Sequence, residues 1–148
     1  KDKFLLKFRG AGDGAAYKNL LSELNIAEMV QFLPSVPYKD SIQEMKNADG
    51  LLVLQGKTFN NQIPGKIYEY IATGNPILGL VGEGGACSVL LGSVVNAFAS
   101  EENDCKQIAE RLMELIFTDE KINNSNSYTY SRVACSEKLF PLLTNVRS

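Results

Sequence analysis

The stretch Ile63–Leu80 constrains the fold more than any other part of the chain, because it contains a helix start, a helix stop and a strand in direct succession. Pro64 suits the first position of a helix, where its missing N–H leaves no hydrogen bond unmade. Gly74 and Pro76 end the predicted helix, since proline cannot continue it. The apolar run Ile77–Val81 then predicts a buried strand. A helix that leads directly into a buried strand is a unit from which α/β folds are built.

The start of this predicted helix has the character of an anion site. Free N–H groups and the helix dipole favour negative charge at a helix N-terminus. Lys66, Glu69 and Tyr70 are spaced three and four residues apart, so they share one face near that end. A cation there suits a nucleotide phosphate, and a carboxylate suits the hydroxyl groups of a ribose. The alternative is a solvated ion pair between Lys66 and Glu69 on an ordinary amphipathic helix.

The rest of the chain shows the same alternation of apolar runs and helical periodicity. The predicted strands are Phe4–Phe8, Met29–Leu33, Gly50–Leu54, Ile77–Val81 and Val94–Phe98. The predicted helices, besides the one at Pro64, are Ala15–Leu24, Asp40–Asn47, Ala86–Leu91 and Glu101–Phe117. Strands that are apolar along their whole length are typical of a parallel sheet covered on both faces. The predicted fold class is therefore α/β, a Rossmann-like parallel β-sheet flanked by helices, with ligands bound beyond the carboxyl ends of the strands.

The predicted domain boundary lies at an Asn- and Ser-rich stretch. Residues 1–122 are expected to form the Rossmann-like domain, and residues 123–148 a linker and a C-terminal helical segment. That segment packs either on this domain or on a domain outside the chain, and both alternatives stay open. Because the chain begins with Lys1 in a predicted strand, we expect it to be a piece of a longer protein.

Composition excludes several classes of site. The net charge of −2 over 148 residues gives no general affinity for nucleic acid or acidic membranes, so any anion site must be local. The absence of histidine excludes a histidine base, a His-containing triad and His metal ligands in this chain. Three cysteines show neither metal spacing nor a disulfide framework, which indicates a reducing compartment. We expect no metal and no cofactor, no transmembrane segment and a cytoplasmic location, with membrane-peripheral association of the longer protein left open.

The glycine-rich stretch Gly10–Ala15 fits the pattern G-x-G-x-x-A of dinucleotide-binding sites. The full pattern also needs an acidic residue about twenty positions on, and here the second strand ends in Pro34 with no carboxylate. A glycine-permitted tight turn explains the motif at least as well as a ligand contact. Asp13 and Glu83, two other carboxylates near the predicted sheet edge, are expected to serve a turn and a helix start rather than catalysis.

The segments Pro64–Ala72 and Gly74–Ile77 resemble the donor-binding segment of retaining glycosyltransferases with the GT-B fold, the large group called family 4. Other parts fit in order, namely Leu5–Gly14, Val30–Pro34 and Asn47–Leu54. The resemblance implies the C-terminal half of a GT-B enzyme. This half binds the donor, a UDP- or GDP-linked nucleotide sugar. A separate N-terminal domain would supply most of the site for an acceptor glycan or lipid-linked glycan. The implied activity is transfer of a sugar to an acceptor hydroxyl with retention, in polysaccharide or glycan biosynthesis.

The resemblance also implies a set of site residues. Glu69 would accept hydrogen bonds from the ribose hydroxyls, and the helix start would bind the pyrophosphate. The loop after the second strand would border the base, and the glycine turn would line the cleft facing the missing domain. The implied nucleotide-sugar-binding residues are Glu69, Lys66, Gly65, Ile67, Asn61, Gln62, Pro34, Val36, Gly12 and Gly14.

Two departures from the family pattern bear on function. The family has two glutamates with seven residues between them, and Asn61 stands where the first is expected. Asn61 or Gln62 could still bind a sugar hydroxyl through its amide. Relatives also have a further βα unit before Phe4 that carries an Arg/Lys pair, so we expect a chain truncated at its N-terminal side and inactive alone. A sugar-nucleotide 2-epimerase of the same fold and a non-catalytic interaction module stay open as alternatives.

Overall fold

The computed structural model describes residues 4–117, together with residues 131, 133–134 and 136–137. Parallel strands alternate with helices, which confirms the predicted α/β, Rossmann-like class. The strands are β1 (Leu6–Arg9), β2 (Val30–Leu33), β3 (Leu51–Gln55), β4 (Ile77–Val81) and β5 (Ala97–Ser100). The helices are α1 (Lys18–Glu23), α2 (Tyr38–Asn47), α3 (Gly65–Thr73), α4 (Ala86–Gly92) and α5 (Cys105–Ile116). Short 3₁₀ turns span Ala15–Tyr17, Ala27–Met29 and Lys57–Phe59.

The chain divides into two compact units, and the first, Lys1–Gln43, contains a two-stranded sheet. β1 and β2 pair in parallel, with Leu6 opposite Val30. The ring of Phe32 stacks on Phe8 at 5.2 Å between centroids and on Tyr17 at 5.8 Å. No residue from 4 to 43 is fully buried. Aromatic stacking on one face of a small sheet therefore organises this unit.

The second unit, Glu44–Ser148, contains a three-stranded parallel sheet in the order β3-β4-β5. The central strand β4 is buried at four of its five positions, as its uninterrupted apolar sequence predicts. Its glycine, Gly79, lies under Leu91 of α4, and a Cβ at Gly79 would collide with that side chain. Among the described residues, the core comprises Met45, Leu51, Val53, Ile67, Ile71, Ile77, Leu78, Val81, Cys87, Leu91 and Ala134. Helices α3 and α4 thus both contribute fully buried residues to this core.

The turn after α3 connects that helix to β4. Gly74 adopts φ 75°, a left-handed conformation that ends helices and suits glycine. Asn75 follows, and its side-chain amide donates to the carbonyl oxygens of Met45 at 2.6 Å and Ala48 at 2.9 Å. These bonds satisfy carbonyl groups at the end of α2 and fix the point where β4 begins.

Most element boundaries differ from the sequence predictions by a few residues, and three of these differences have a clear physical reason. Pro64 is the residue before α3 rather than its first residue, with an extended ψ of 135°. The last strand is Ala97–Ser100, because Val94 is bonded in a turn to Leu91 and Asn96 has a φ of 61°. α5 begins at Cys105 because the side chain of Asp104 accepts a hydrogen bond from the Gln107 N–H at 2.9 Å and caps it.

The predicted domain boundary and the predicted C-terminal helical segment lie mainly outside the described residues. Where strand pairing is described, it forms two parallel sheets, one in each unit.

Candidate functional site

The N-terminus of α3 has two backbone donors with no acceptor in the described part of the chain. Pro64 precedes the helix and has neither an N–H nor a capping side chain. The Ile67 N–H donates to the Pro64 carbonyl at 3.0 Å, which closes the first turn. The N–H groups of Gly65 and Lys66 donate to none of the described residues. Since none of the described residues caps these two N–H groups, this helix start can take an anion.

Two faces of α3 have different roles because the helix repeats every 3.6 residues. Ile67 and Ile71 are 0% and 1% exposed, and they anchor the helix in the core. Lys66, which is exposed, and Glu69, which is half-buried, lie away from that face, and half-buried Tyr70 borders it. The helix is thereby held on the sheet while its charged groups face outward near its N-terminus.

The charges on α3 do not pair with each other in the way that the alternative interpretation required. No ion pair joins Lys66 to Glu69 within the described residues. Burial, and secondarily the Glu69 carboxylate, raises the pKa of the Tyr70 hydroxyl above its usual range. Tyr70 is therefore neutral at physiological pH, and Lys66 brings a positive charge to the helix start.

The β3–α3 loop, residues 56–64, carries the predicted sugar-contacting residues Asn61 and Gln62, both of which are exposed. The loop is fastened from below by Gln55, whose amide nitrogen donates to the carbonyls of Phe59 at 2.8 Å and Gln62 at 2.9 Å. The thiol of Cys87 donates to Gln55 Oε1 and, at 3.3 Å, to the Gln62 carbonyl. The loop conformation thus depends on two side chains that lie beneath it.

Asn60 fastens the same loop from a second direction. Its carbonyl accepts a hydrogen bond from the Ala86 N–H at the start of α4, at 2.7 Å. Its side chain lies against Gly82 and Gly85, and a Cβ at Gly82 would collide with it. The absence of side chains at these two positions therefore admits Asn60 to the turn between β4 and α4.

Sequence reasoning missed Gln55, Asn60 and Cys87 as parts of this site. A signal was present for Gln55, because a polar residue ends an otherwise apolar strand at the carboxyl edge of the sheet. Cys87 had no such signal. Its position in an apolar helix is typical of an ordinary core residue.

The remaining predicted site residues belong to the first unit, at the neighbouring carboxyl ends of β1 and β2. Gly12 and Gly14 have φ values of 87° and 71°. A Cβ at Gly14 would collide with the Phe32 ring, whereas Gly12 has open space around it. Pro34 and Val36 follow β2, and the Pro34 carbonyl accepts a hydrogen bond from the Arg9 guanidinium at 2.8 Å. The structure thus brings these four residues to one end of the first sheet.

Asp13 and Glu83, the two other carboxylates near the predicted sheet edge, lie in turns. Asp13 Oδ1 accepts a hydrogen bond from the Ala15 N–H at 3.0 Å, which confirms its predicted role in the turn. Glu83 is exposed in the turn before α4.

The described residues have neither a metal-binding cluster nor a membrane-spanning helix. Cysteine and acidic side chains there form no group of three that could hold a metal ion. None of the described helices has the length and apolar character needed to cross a bilayer. A shallow surface depression lies on α5 between Ala109, Met113 and Phe117, and none of the predicted site residues lines it.

Parallel strands that alternate with helices, and a helix that begins uncapped after the carboxyl end of a strand, define a Rossmann-like α/β domain. The chain belongs to the family described as Glycosyl transferases group 1, whose model matches residues 1–132. This confirms the predicted family. A search of curated proteins found no match.

Proposed function

We propose that this chain is the donor-binding domain of a glycosyltransferase that moves a sugar from a UDP- or GDP-linked donor to an acceptor hydroxyl with retention. The acceptor is a glycan or a lipid-linked glycan. The observation that carries the proposal is the start of α3, where two backbone N–H groups without acceptors in the described chain stand beside Lys66, with Glu69 one turn away. The family match supports it independently.

The chemistry proposed for this site is electrostatic. The N–H groups of Gly65 and Lys66 and the Lys66 ammonium hold the diphosphate and stabilise the charge that develops on it as the glycosidic bond breaks. The Glu69 carboxylate accepts hydrogen bonds from the ribose hydroxyls and orients the nucleotide. Ile67 anchors the turn, since its N–H is already bonded to Pro64 and its side chain is in the core.

The other contacts follow from the place of each residue in the fold. Asn61 and Gln62 bind hydroxyl groups of the sugar through their amides. Pro34 and Val36 border the base, while Gly12 and Gly14 line the cleft toward an N-terminal domain of the full-length protein. Residues 1–122 are the proposed extent of the donor-binding domain. The acceptor site lies mostly in the N-terminal domain, so this chain alone is inactive.

The decisive test is Glu69→Ala in the full-length protein. We expect donor kcat/KM to fall by about 100-fold, because the ribose loses a charged hydrogen-bond acceptor. Glu110→Ala, which removes an exposed carboxylate from α5, is the matched control and should retain normal kinetics. The proposal fails if Glu69→Ala keeps a normal donor KM and turnover.

Product analysis completes this test. A glycosyltransferase consumes the nucleotide sugar only as fast as it glycosylates an acceptor, and NMR of the product reports whether the anomeric configuration is retained. Conversion of the sugar nucleotide into its C2 epimer without any acceptor would identify a 2-epimerase instead. Calorimetric titration of the full-length protein with UDP and GDP, if silent for both, would favour a non-catalytic module.

A further inference from the structure

We propose that Gln55 and Cys87 are positioning residues for the donor sugar, because they hold the β3–α3 loop in the one conformation that presents Asn61. The Gln55 clasp denotes these two side chains and the loop carbonyls of Phe59 and Gln62 to which they donate. This inference deepens the proposed function and rests on it. Neither side chain touches the ligand in this scheme.

Gln55 is the centre of the clasp. It is the last residue of β3, it is paired across the sheet with Val81, and it is 9% exposed. Its amide nitrogen donates one hydrogen to the Phe59 carbonyl and the other to the Gln62 carbonyl. Its oxygen accepts the Cys87 thiol. Both polar atoms of this buried amide therefore make hydrogen bonds. A different loop conformation would break the two bonds to the loop carbonyls.

Cys87 is the second part of the clasp. It lies in α4, is 2% exposed, and directs its one thiol hydrogen between Gln55 Oε1 and the Gln62 carbonyl. Burial raises the pKa of the Cys87 thiol, so the sulfur keeps the hydrogen that it donates at neutral pH. The thiol thus ties α4 to the strand end and to the loop at the same point.

The clasp acts on Asn61 through the backbone on both sides of it. Gln62 is held by Gln55 and Cys87, and Asn60 is held by the Ala86 N–H and the glycines of the β4–α4 turn. Asn61 lies between these two fixed residues and has an exposed side chain. Because the backbone at Asn61 is already fixed, little backbone conformational entropy is lost when a ligand binds its side chain.

A polar clasp suits this place better than an apolar one. Apolar side chains of similar size would bury the strand end equally well, but they would leave the loop carbonyls of Phe59 and Gln62 without buried donors. Fully satisfied polar networks specify one backbone arrangement, whereas apolar contacts tolerate several. The clasp therefore fixes the loop conformation as well as filling space.

The test uses the full-length protein with Cys87→Ala, which removes the thiol donor, and Cys87→Ser, which restores a donor. Cys105→Ala is the matched control, since Cys105 is exposed at the start of α5. Gln55→Met provides a second disruption of similar shape, so that a folding failure of one variant leaves the other informative. Amide hydrogen exchange is measured at Phe59, Asn60 and Gln62, whose N–H groups are bonded within the loop.

The expected result is faster exchange at these three amides, by about tenfold in Cys87→Ala and in Gln55→Met. Cys87→Ser and Cys105→Ala should exchange as the unmodified protein does. Unchanged exchange in both disrupting variants would overturn the clasp.

Kinetics then separates positioning of the sugar from general stability. UDP-glucose and GDP-mannose serve as donor probes, and UDP and GDP as competitive inhibitors. We expect kcat/KM for the accepted donor to fall about tenfold in Cys87→Ala and Gln55→Met, while the inhibition constant of the nucleoside diphosphate changes by less than about twofold. Cys87→Ser should recover most of the loss.

Equal losses for donor and nucleoside diphosphate would overturn the positioning role, and so would normal donor kinetics in a variant with faster loop exchange. Failure of the proposed function is distinguishable from both. In that case Glu69→Ala, made in the otherwise unmodified protein, has no effect on donor use. Amide hydrogen exchange at the loop residues still reports whether the clasp is intact.

Discussion

The two units of the chain differ in how each is held together. The first has two paired strands, a stack of three aromatic rings and no fully buried residue from 4 to 43. The second has three paired strands and a core in which Ile67, Ile71, Ile77 and Leu91 are completely buried. Both carry predicted donor-binding residues. The residues proposed to bind the diphosphate and ribose therefore stand on a packed core, while those proposed in the first unit lie in the glycine turn after β1 and the loop after β2.

The two units fix the positions of their site residues by different means. A helix whose buried face interlocks with a core keeps its N-terminal N–H groups in place. A two-stranded sheet has little burial of its own and depends on backbone geometry at its turns. We therefore expect substitutions in the second unit to act through packing, and substitutions in the first unit to act through turn conformation.

The largest effect is expected from Ile67→Ala in α3. Truncating a fully buried isoleucine loses burial and leaves a cavity, which should lower the free energy of unfolding by about 4 kcal/mol. Leu20→Ala in α1 is the control from the first unit, where the side chain is 51% exposed, and it should change stability by less than about 0.5 kcal/mol. Urea unfolding followed by circular dichroism measures both. Equal losses would break the contrast between the units.

A smaller effect is expected from Gly14→Ala in the turn after β1. The new methyl group meets the Phe32 ring and the residue keeps a positive φ, so strain and overpacking together should cost about 3 kcal/mol. At Gly12 the φ is also positive, but a Cβ there would meet open space. Gly12→Ala should therefore lower the free energy of unfolding by only about 1 kcal/mol. Hydrogen exchange at β1 and β2 locates the loss in the first unit. A Gly12→Ala variant as unstable as Gly14→Ala would show that ring contact is unimportant there.

The smallest effect concerns pH and belongs to the second unit. Burial raises the pKa of Cys87 in the folded chain, so the folded state holds this proton more tightly than the unfolded state. The resulting stability is fully present below the unfolded thiol pKa of about 8.5 and is lost as pH rises through the folded pKa. The free energy of unfolding should therefore fall more steeply above that pH in the unmodified chain than in Cys87→Ser. Urea titrations under reducing conditions at a series of pH values test this, and identical slopes would contradict it.

The order and type of most elements could be predicted because they depend on local chemistry. β4 is apolar at every position except its glycine, and it is the central strand. Gly74 and Pro76 ended α3 as predicted, since their backbone restrictions apply wherever they occur. Boundaries were less predictable. The last strand begins only at Ala97, because a turn bonded to Leu91 overrides the β propensity of Val94 and Val95.

The candidate site was predictable where one short segment contains it. Lys66, Glu69 and the uncapped turn of α3 lie within a few residues, so helical spacing alone places them on one side. Gln55 and Cys87 were not predictable in this way. They are separated by 32 residues and meet because β3 ends beside Val81 of β4, and Cys87 lies in the first turn of the helix that follows β4.

The sequence by itself therefore determined the α/β class and the charged face of α3, since periodicity, glycine and proline act locally. The resemblance of its motifs identified the family, which the family model confirms. The tertiary structure alone decided how the loop carrying Asn61 is held. Its hydrogen bonds join a strand end, a loop and a second helix, and such contacts exist only once the sheet and its helices are packed. Partial burial strengthens those bonds, because a polar group shielded from water loses more free energy when its partner is removed.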